Sequence, residues 1–185
     1  MKNKVRETLK QRRDAILARE EKSREICRLF LSSSLYQNAE TIMVYKEIKS
    51  EVQTGNLIET MLQDKKRVFL PVTVGDFIEI CEILPQDRFV KGNFNVPEPA
   101  VRRPFPLKGL DVIIVPALAY DRRFYRMGYG KGYYDRFLAQ KEKKTMTVGF
   151  CYDSLLADEL PTDVFDRKVD AVITEKGVLY EKQSN

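Results

Sequence analysis

The segment Leu110-Asp111-Val112-Ile113-Ile114-Val115-Pro116-Ala117-Leu118 limits the choice of fold more than any other part of this chain. It is apolar apart from Asp111, and it shows no alternation of apolar and polar positions. A strand with that pattern must be covered on both faces, as in the centre of a parallel sheet. A loop carrying Gly128, Gly130 and Gly132 follows, and then a helix through Asp135-Arg136-Phe137-Leu138. In open parallel sheets, ligands bind outside the carboxyl ends of the strands, so this loop is the first place to look for a site.

The rest of the chain repeats the theme. Val5, Leu9, Ile16 and Leu17 recur near helical spacing. A second helix is expected over about 21–31, with Ile26, Leu29 and Phe30 inward, broken by Ser32-Ser33-Ser34. Strands are expected over 41–45, 67–72 (ending near Pro71), 77–84, 146–150, 171–174 and, briefly, 178–180, with a helix over about 54–63. The stretch 85–107 holds five of the eight prolines and reads as extended loop. Helices alternating with apolar strands imply an α/β fold, three-layer α/β/α and Rossmann-like, with a mainly parallel sheet. At 185 residues without repeat or linker, a single domain spanning 1–185 is expected.

Composition removes whole classes of chemistry. The chain has no histidine, so no Ser-His-Asp device and no imidazole base or metal ligand is available. Cys27, Cys81 and Cys151 are far apart and odd in number, which argues against a disulfide framework or a zinc site. Residues 1–7 carry basic side chains with no apolar run behind them, and Glu7, Asp14, Glu20 and Glu21 do not suit a mitochondrial transit peptide. A cytoplasmic protein without membrane attachment is expected. The net charge of +5 is modest, and much of the excess lies at the N-terminus and between Arg122 and Arg136. That charge suits an anionic ligand, general solubility or a nucleic-acid patch equally well. No nucleic-acid motif is present, so no nucleic-acid partner is expected.

The glycine loop reads Arg126-Met127-Gly128-Tyr129-Gly130-Lys131-Gly132-Tyr133-Tyr134-Asp135-Arg136. Glycines let backbone N–H groups approach an anion and permit positive φ, while Arg126 and Lys131 add charge. The result is a phosphate cradle. It is not a Walker A loop, because Lys131 is followed by Gly132, and the G-x-G-x-x-G spacing of dinucleotide sites is absent. A tight strand-to-helix connection with incidental basic residues would share much of this pattern.

The run 110–121 together with 126–136 resembles the signature of the 5-formyltetrahydrofolate cyclo-ligase (methenyltetrahydrofolate synthetase) family. The likeness extends over nearly the whole chain, through the basic segment Lys2 to Arg6, Glu51-Val52-Gln53-Thr54, Asn95-Val96-Pro97-Glu98-Pro99 and the stretch 160–170. The resemblance implies ATP- and Mg²⁺-dependent closure of 5-formyltetrahydrofolate, with or without a polyglutamate tail, to 5,10-methenyltetrahydrofolate with release of ADP and phosphate. A monomeric ligase is the expectation.

By matching position, the resemblance implies ATP contacts from Lys2, Arg6 and Arg126 through Tyr134 (Met127, Gly128, Tyr129, Gly130, Lys131, Gly132 and Tyr133 between them). It implies catalytic roles for Lys131, Arg126 and Tyr133. Folate contacts are implied for Lys46, Glu51, Phe94, Tyr129, Gly130, Lys131, Gly132 and Tyr133, and magnesium ligation for Asp135 and Asp166. Each position has a plainer reading beside this one. Lys2 and Arg6 suit a solvated helix face, Asp135 and Glu51 suit helix starts, and the aromatic residues suit a core. Phe165 stands where many family members have histidine, Gln53 where an acid is frequent, and Ala117 where glycine is frequent. A phosphotransferase of the same fold with a different substrate is the alternative reading.

Overall fold

The structure is a computed structural model and describes residues 2–181. The chain opens with α1 (Lys2–Asp14), α2 (Arg19–Leu31) and a single turn, α3 (Ser34–Gln37). It continues through β1 (Thr41–Met43), α4 (Gly55–Gln63), β2 (Arg67–Val74), β3 (Phe77–Ile83), β4 (Phe89–Lys91), β5 (Pro97–Pro99) and β6 (Pro104–Phe105). Then come β7 (Val112–Val115), β8 (Ala119–Asp121), β9 (Arg126–Met127), α5 (Tyr133–Leu138), β10 (Met146–Phe150), β11 (Leu156–Ala157), β12 (Ala171–Thr174) and β13 (Gly177–Tyr180).

Eight strands form the main sheet in the order β13-β12-β10-β7-β1-β2-β3-β6. The five central strands, β12 to β2, run parallel, while β13, β3 and β6 are antiparallel edges. All four residues of β7 are buried. Successive side chains point to opposite faces, so both faces at the sheet centre are covered, as its unbroken apolar run predicts. Phe30 of α2 packs edge-on against Tyr36 and Phe150, with ring centroids 5.5 and 5.6 Å away. Burial of one such ring contributes about 1.5–3 kcal/mol. The architecture is the mixed α/β type, dominated by a mostly parallel sheet.

β1 leads to β2 on one side of the sheet, whereas β7 leads to β10 and β12 on the other. Chain direction therefore diverges between β1 and β7. The crevice beyond their carboxyl ends is the expected ligand position.

The structure differs from the sequence reading at particular places. β2 does not stop at Pro71 but runs to Val74, paired with β3. Arg67 donates to Glu40 O and Phe69 O accepts from Val44, so these residues direct their backbones toward β1. Pro71, two residues on, directs its missing donor the same way, past the end of β1, where no partner is required. The proline-rich stretch is also more regular than expected. Gly92 N donates to Val96 O and Ala100 N to Arg88 O, which leaves Pro97 and Pro99 facing the unpaired side of β5. Leu17 is exposed rather than inward, because it lies in the break between α1 and α2, where Ala18 adopts φ 54°. Ser32 and Ser33 end α2 as expected, but Ser34 starts another turn.

Candidate active site

A cavity of about 1070 Å³ opens at the carboxyl ends of β1, β7 and β2. Its walls carry ten Lys and Arg residues against six Asp and Glu, so it favours an anionic guest. Its lining comes from α1, the chain between β1 and α4, β2 and the start of β3, residues 95–98, Pro116 after β7, the glycine loop running into α5, and residues 163–167.

The glycine loop is delivered by a hairpin rather than a bare loop. β8 pairs with β9 across a turn in which Phe124 adopts φ 70°. Leu118 N donates to Met127 O, fixing where the loop begins. Gly130 and Gly132 have φ of 99° and 69°, a region that L side chains avoid. Gly128 does not need that freedom, and a Cβ there would meet nothing within 4 Å. At the loop's base, buried Arg126 donates to Asp135 Oδ1 at 2.7 Å and to Arg167 O at 2.8 Å. Lys131 is exposed, and among the described residues its ammonium pairs with no carboxylate. Tyr133 donates to Gly75 O at 3.2 Å. The Tyr134 hydroxyl is buried with no hydrogen-bond partner among the described residues.

One face of α1 completes the wall. Lys2, Arg6, Leu9 and Arg13 follow helical spacing, and the three cations line the cavity while Leu9 enters the core. Lys2 Nζ donates to Asp163 and Asp166, each at 2.7 Å. Burial alone would lower the pKa of this ammonium, but the two carboxylates more than offset it and raise it. Arg6 Nε donates to Gly128 O at 3.1 Å.

Glu51 is almost fully buried beside the cavity. It lies in a turn ahead of α4 rather than in the first turn of that helix. It accepts a hydrogen bond from Ile48 N at 2.9 Å and another from the Tyr129 hydroxyl. Burial holds its carboxyl above the ordinary value, while Tyr129, Ile48 and the charge of Arg13 pull it down. Lys46 lines the same end of the cavity, with its ammonium 5.1 Å from the Phe89 ring centre.

Every residue singled out from the sequence lines this one cavity except Phe94. Phe94 belongs to a turn at Asn93–Asn95, and its side chain lies outside the described residues. Sequence reasoning missed Arg13, Ser50 and Asp14. Arg13 lies four residues beyond Leu9 and seven beyond Arg6, and this spacing was the available signal. Asp135 and Asp166 face one cavity, each holding a cation through a single oxygen. Among the described residues no group of three or more Asp, Glu or Cys gathers into a metal cage. Two carboxylates on one wall fit Mg²⁺, which takes one or two carboxylates together with phosphates and waters.

The family model for the 5-formyltetrahydrofolate cyclo-ligase family matches residues 1–175. The chain belongs to that family. It is 35% identical over 147 residues to the 5-formyltetrahydrofolate cyclo-ligase of Escherichia coli, covering 76% of this chain and 80% of the relative. Against the mouse cyclo-ligase it is 28% identical over 190 residues, covering 94% and 93%. The solved Aquifex aeolicus 5,10-methenyltetrahydrofolate synthetase matches with a TM-score of 0.87 and 29% identity, covering 100% of this chain and 95% of that one. A Mycoplasma pneumoniae 5,10-methenyltetrahydrofolate synthetase shares the fold at a TM-score of 0.76 and 23% identity, over 94% and 98%. Among the described residues no helix is long and apolar enough to cross a membrane.

Proposed function

We propose that this chain converts 5-formyltetrahydrofolate to 5,10-methenyltetrahydrofolate, consuming ATP and releasing ADP and phosphate. The reading is carried by the convergence, in one cationic cavity, of a glycine loop, an exposed lysine and a buried carboxylate.

The formamide oxygen is a weak nucleophile and, once the ring has closed, a poor leaving group. In the proposed route it attacks the γ-phosphorus of ATP and ADP departs. N10 then attacks the activated formyl carbon and loses its proton, and phosphate leaves to give the methenyl cation. Positioning and charge neutralisation dominate such a transfer, which suits a chain without histidine. Lys131 neutralises charge on the transferred phosphoryl group. Gly128, Gly130 and Gly132 bring backbone donors to the phosphates, with Arg6 and Lys2 at the α1 side. Arg126 holds Asp135 in place at the loop's base. Asp135 and Asp166 would hold Mg²⁺, which when bound offsets phosphate charge. Glu51 accepts hydrogen bonds from pterin N–H groups, with Lys46 and Tyr129 beside it.

The experiment is direct. Purified protein mixed with 5-formyltetrahydrofolate should generate methenyltetrahydrofolate absorbance only when both ATP and Mg²⁺ are present. No signal from folded protein at micromolar concentration ends the assignment. ATP turnover stimulated by another amide or acid, with folate inert, would favour the phosphotransferase reading.

A further inference from the structure

Arg13 is 3% exposed, yet no carboxylate lies within ion-pairing distance of it among the described residues. Its Nε donates to Ser50 Oγ at 3.0 Å. Its Nη1 donates to the Tyr129 hydroxyl at 2.9 Å and to Ala117 O at 3.4 Å. The guanidinium also lies 5.6 Å from the centre of the Tyr129 ring. Both hydroxyls hand the interaction on. Ser50 donates to Asp14, and Tyr129 donates to Glu51. One buried cation therefore reaches two carboxylates, each through a single hydroxyl.

We propose that Arg13, acting through Tyr129, is a positioning residue that fixes the Glu51 carboxylate at the pterin end of the cavity. The inference rests on the functional reading above and names a residue that reading did not use.

Burying a guanidinium without a direct counter-charge is costly. Docking of α1 does not require an arginine here, because Leu9 on the same face supplies the apolar contact. What Arg13 uniquely supplies is a tie between four segments: α1, the turn at Ser50 and Glu51, the chain after β7 at Ala117, and the glycine loop at Tyr129. The relay thus links the end of the cavity assigned to folate to the loop assigned to ATP. The groups facing Glu51 are Arg13 from α1, Tyr45 and Glu47 from the chain after β1, Tyr120 from β8, Tyr129 from the loop and Tyr134 from α5. Lys46, with its ammonium over Phe89, and Lys49 line the same cavity, but Arg13 is the cation that reaches Glu51 through a hydrogen-bonded hydroxyl. Burial and Glu47 both favour the protonated acid, while Arg13, the Tyr129 hydroxyl and Ile48 N–H favour the anion. Glu51 accepts pterin N–H groups best as the anion, so loss of Arg13 must move the acid side of folate recognition to higher pH.

The test compares R13M, R13K and Y129F with the native enzyme. It reads kcat, KM for 5-formyltetrahydrofolate, KM for ATP, melting temperature and the pH profile of kcat/KM. In R13M, KM for folate should rise about tenfold at pH 7, while kcat and KM for ATP stay within about threefold. The acid limb should move up by about one pH unit, the scale of losing an opposite charge near a carboxylate. R13K keeps the charge and should restore the acid limb, but its compact ammonium lacks the planar fork by which Arg13 spans Ser50 and Tyr129, so its folate KM stays elevated. Y129F keeps the ring and removes the relay oxygen. It should shift the limb in the same direction, and it carries the test alone if R13M does not fold. A folded R13M or Y129F with the native acid limb and native folate KM overturns the proposal, as does loss confined to melting temperature and kcat. A native chain that turns over no folate ends the functional reading and this inference with it, an outcome distinct from those produced by the variants.

Discussion

Arg126 and Asp135, nine residues apart, meet at 2.7 Å and close the base of the glycine loop. The arginine side chain is almost sealed from solvent, at 4% exposure, and the aspartate is 27% exposed. Asp135 Oδ1 also accepts from Arg167 N at 3.1 Å, while Arg126 donates to the Arg167 carbonyl. The loop is therefore anchored to the segment that carries Asp166. Both acids implied for magnesium are held in place by the same stretch of chain.

Arg126→Met should lower stability by about 1–3 kcal/mol in urea unfolding. Full burial of both partners would cost more, but the partial exposure of Asp135 moderates the loss. An unchanged midpoint would show that the loop's base does not depend on this pair.

Lys131→Ala should behave in the opposite way. An exposed ammonium with no partner among the described residues carries little packing, so its melting temperature should stay within about 2 °C of native. Its kcat/KM should fall by about 10²-fold or more, the scale of removing one donor from a site of developing charge. Parallel loss of melting temperature and activity would contradict the assignment.

The three loop glycines should not be equivalent. Gly128→Ala meets open space at ordinary φ and should fold with native stability. Gly130→Ala and Gly132→Ala must take φ of 99° and 69°, with the new Cβ 3.2 Å from Arg6 Cζ and 2.9 Å from Arg136 Nη1 respectively. Each should lose about 1 kcal/mol or more by denaturant unfolding. Equal behaviour of all three would refute this account of the loop.

Much of the frame was legible in the sequence, because the strands at β7, β10 and β12 are short stretches rich in apolar and β-branched residues, which length and composition mark as strands. The glycine loop was legible for the same local reason. Pro71, Pro97 and Pro99 misled, since proline forbids one hydrogen bond and sequence alone does not say which side of a strand needs it. The β8–β9 hairpin was hidden because it is short and its turn is made by Phe124 rather than glycine. Arg13 was missed because a basic residue on a helix rich in charge reads as solvated. Only the tertiary neighbours Ser50, Ala117 and Tyr129 make it a buried one.

Acid should weaken the fold partly through Asp87. Arg103 pairs with it at 2.6 and 2.9 Å and holds its carboxyl below the usual range. A depressed folded value means stability present above the unfolded pKa, near 3.8, and lost as pH falls through the folded value. Asp87→Asn should be less stable than native at pH 7, with the gap narrowing below about pH 4. A gap that stays constant across that range would remove this contribution.

The central claim is that the formyl oxygen is activated by phosphorylation in this cavity. The most direct measurement uses 5-formyltetrahydrofolate labelled with ¹⁸O in the formyl group, with mass analysis of the phosphate released as methenyltetrahydrofolate forms. The account predicts one labelled oxygen per phosphate. Unlabelled phosphate, with the label lost to water, would contradict it.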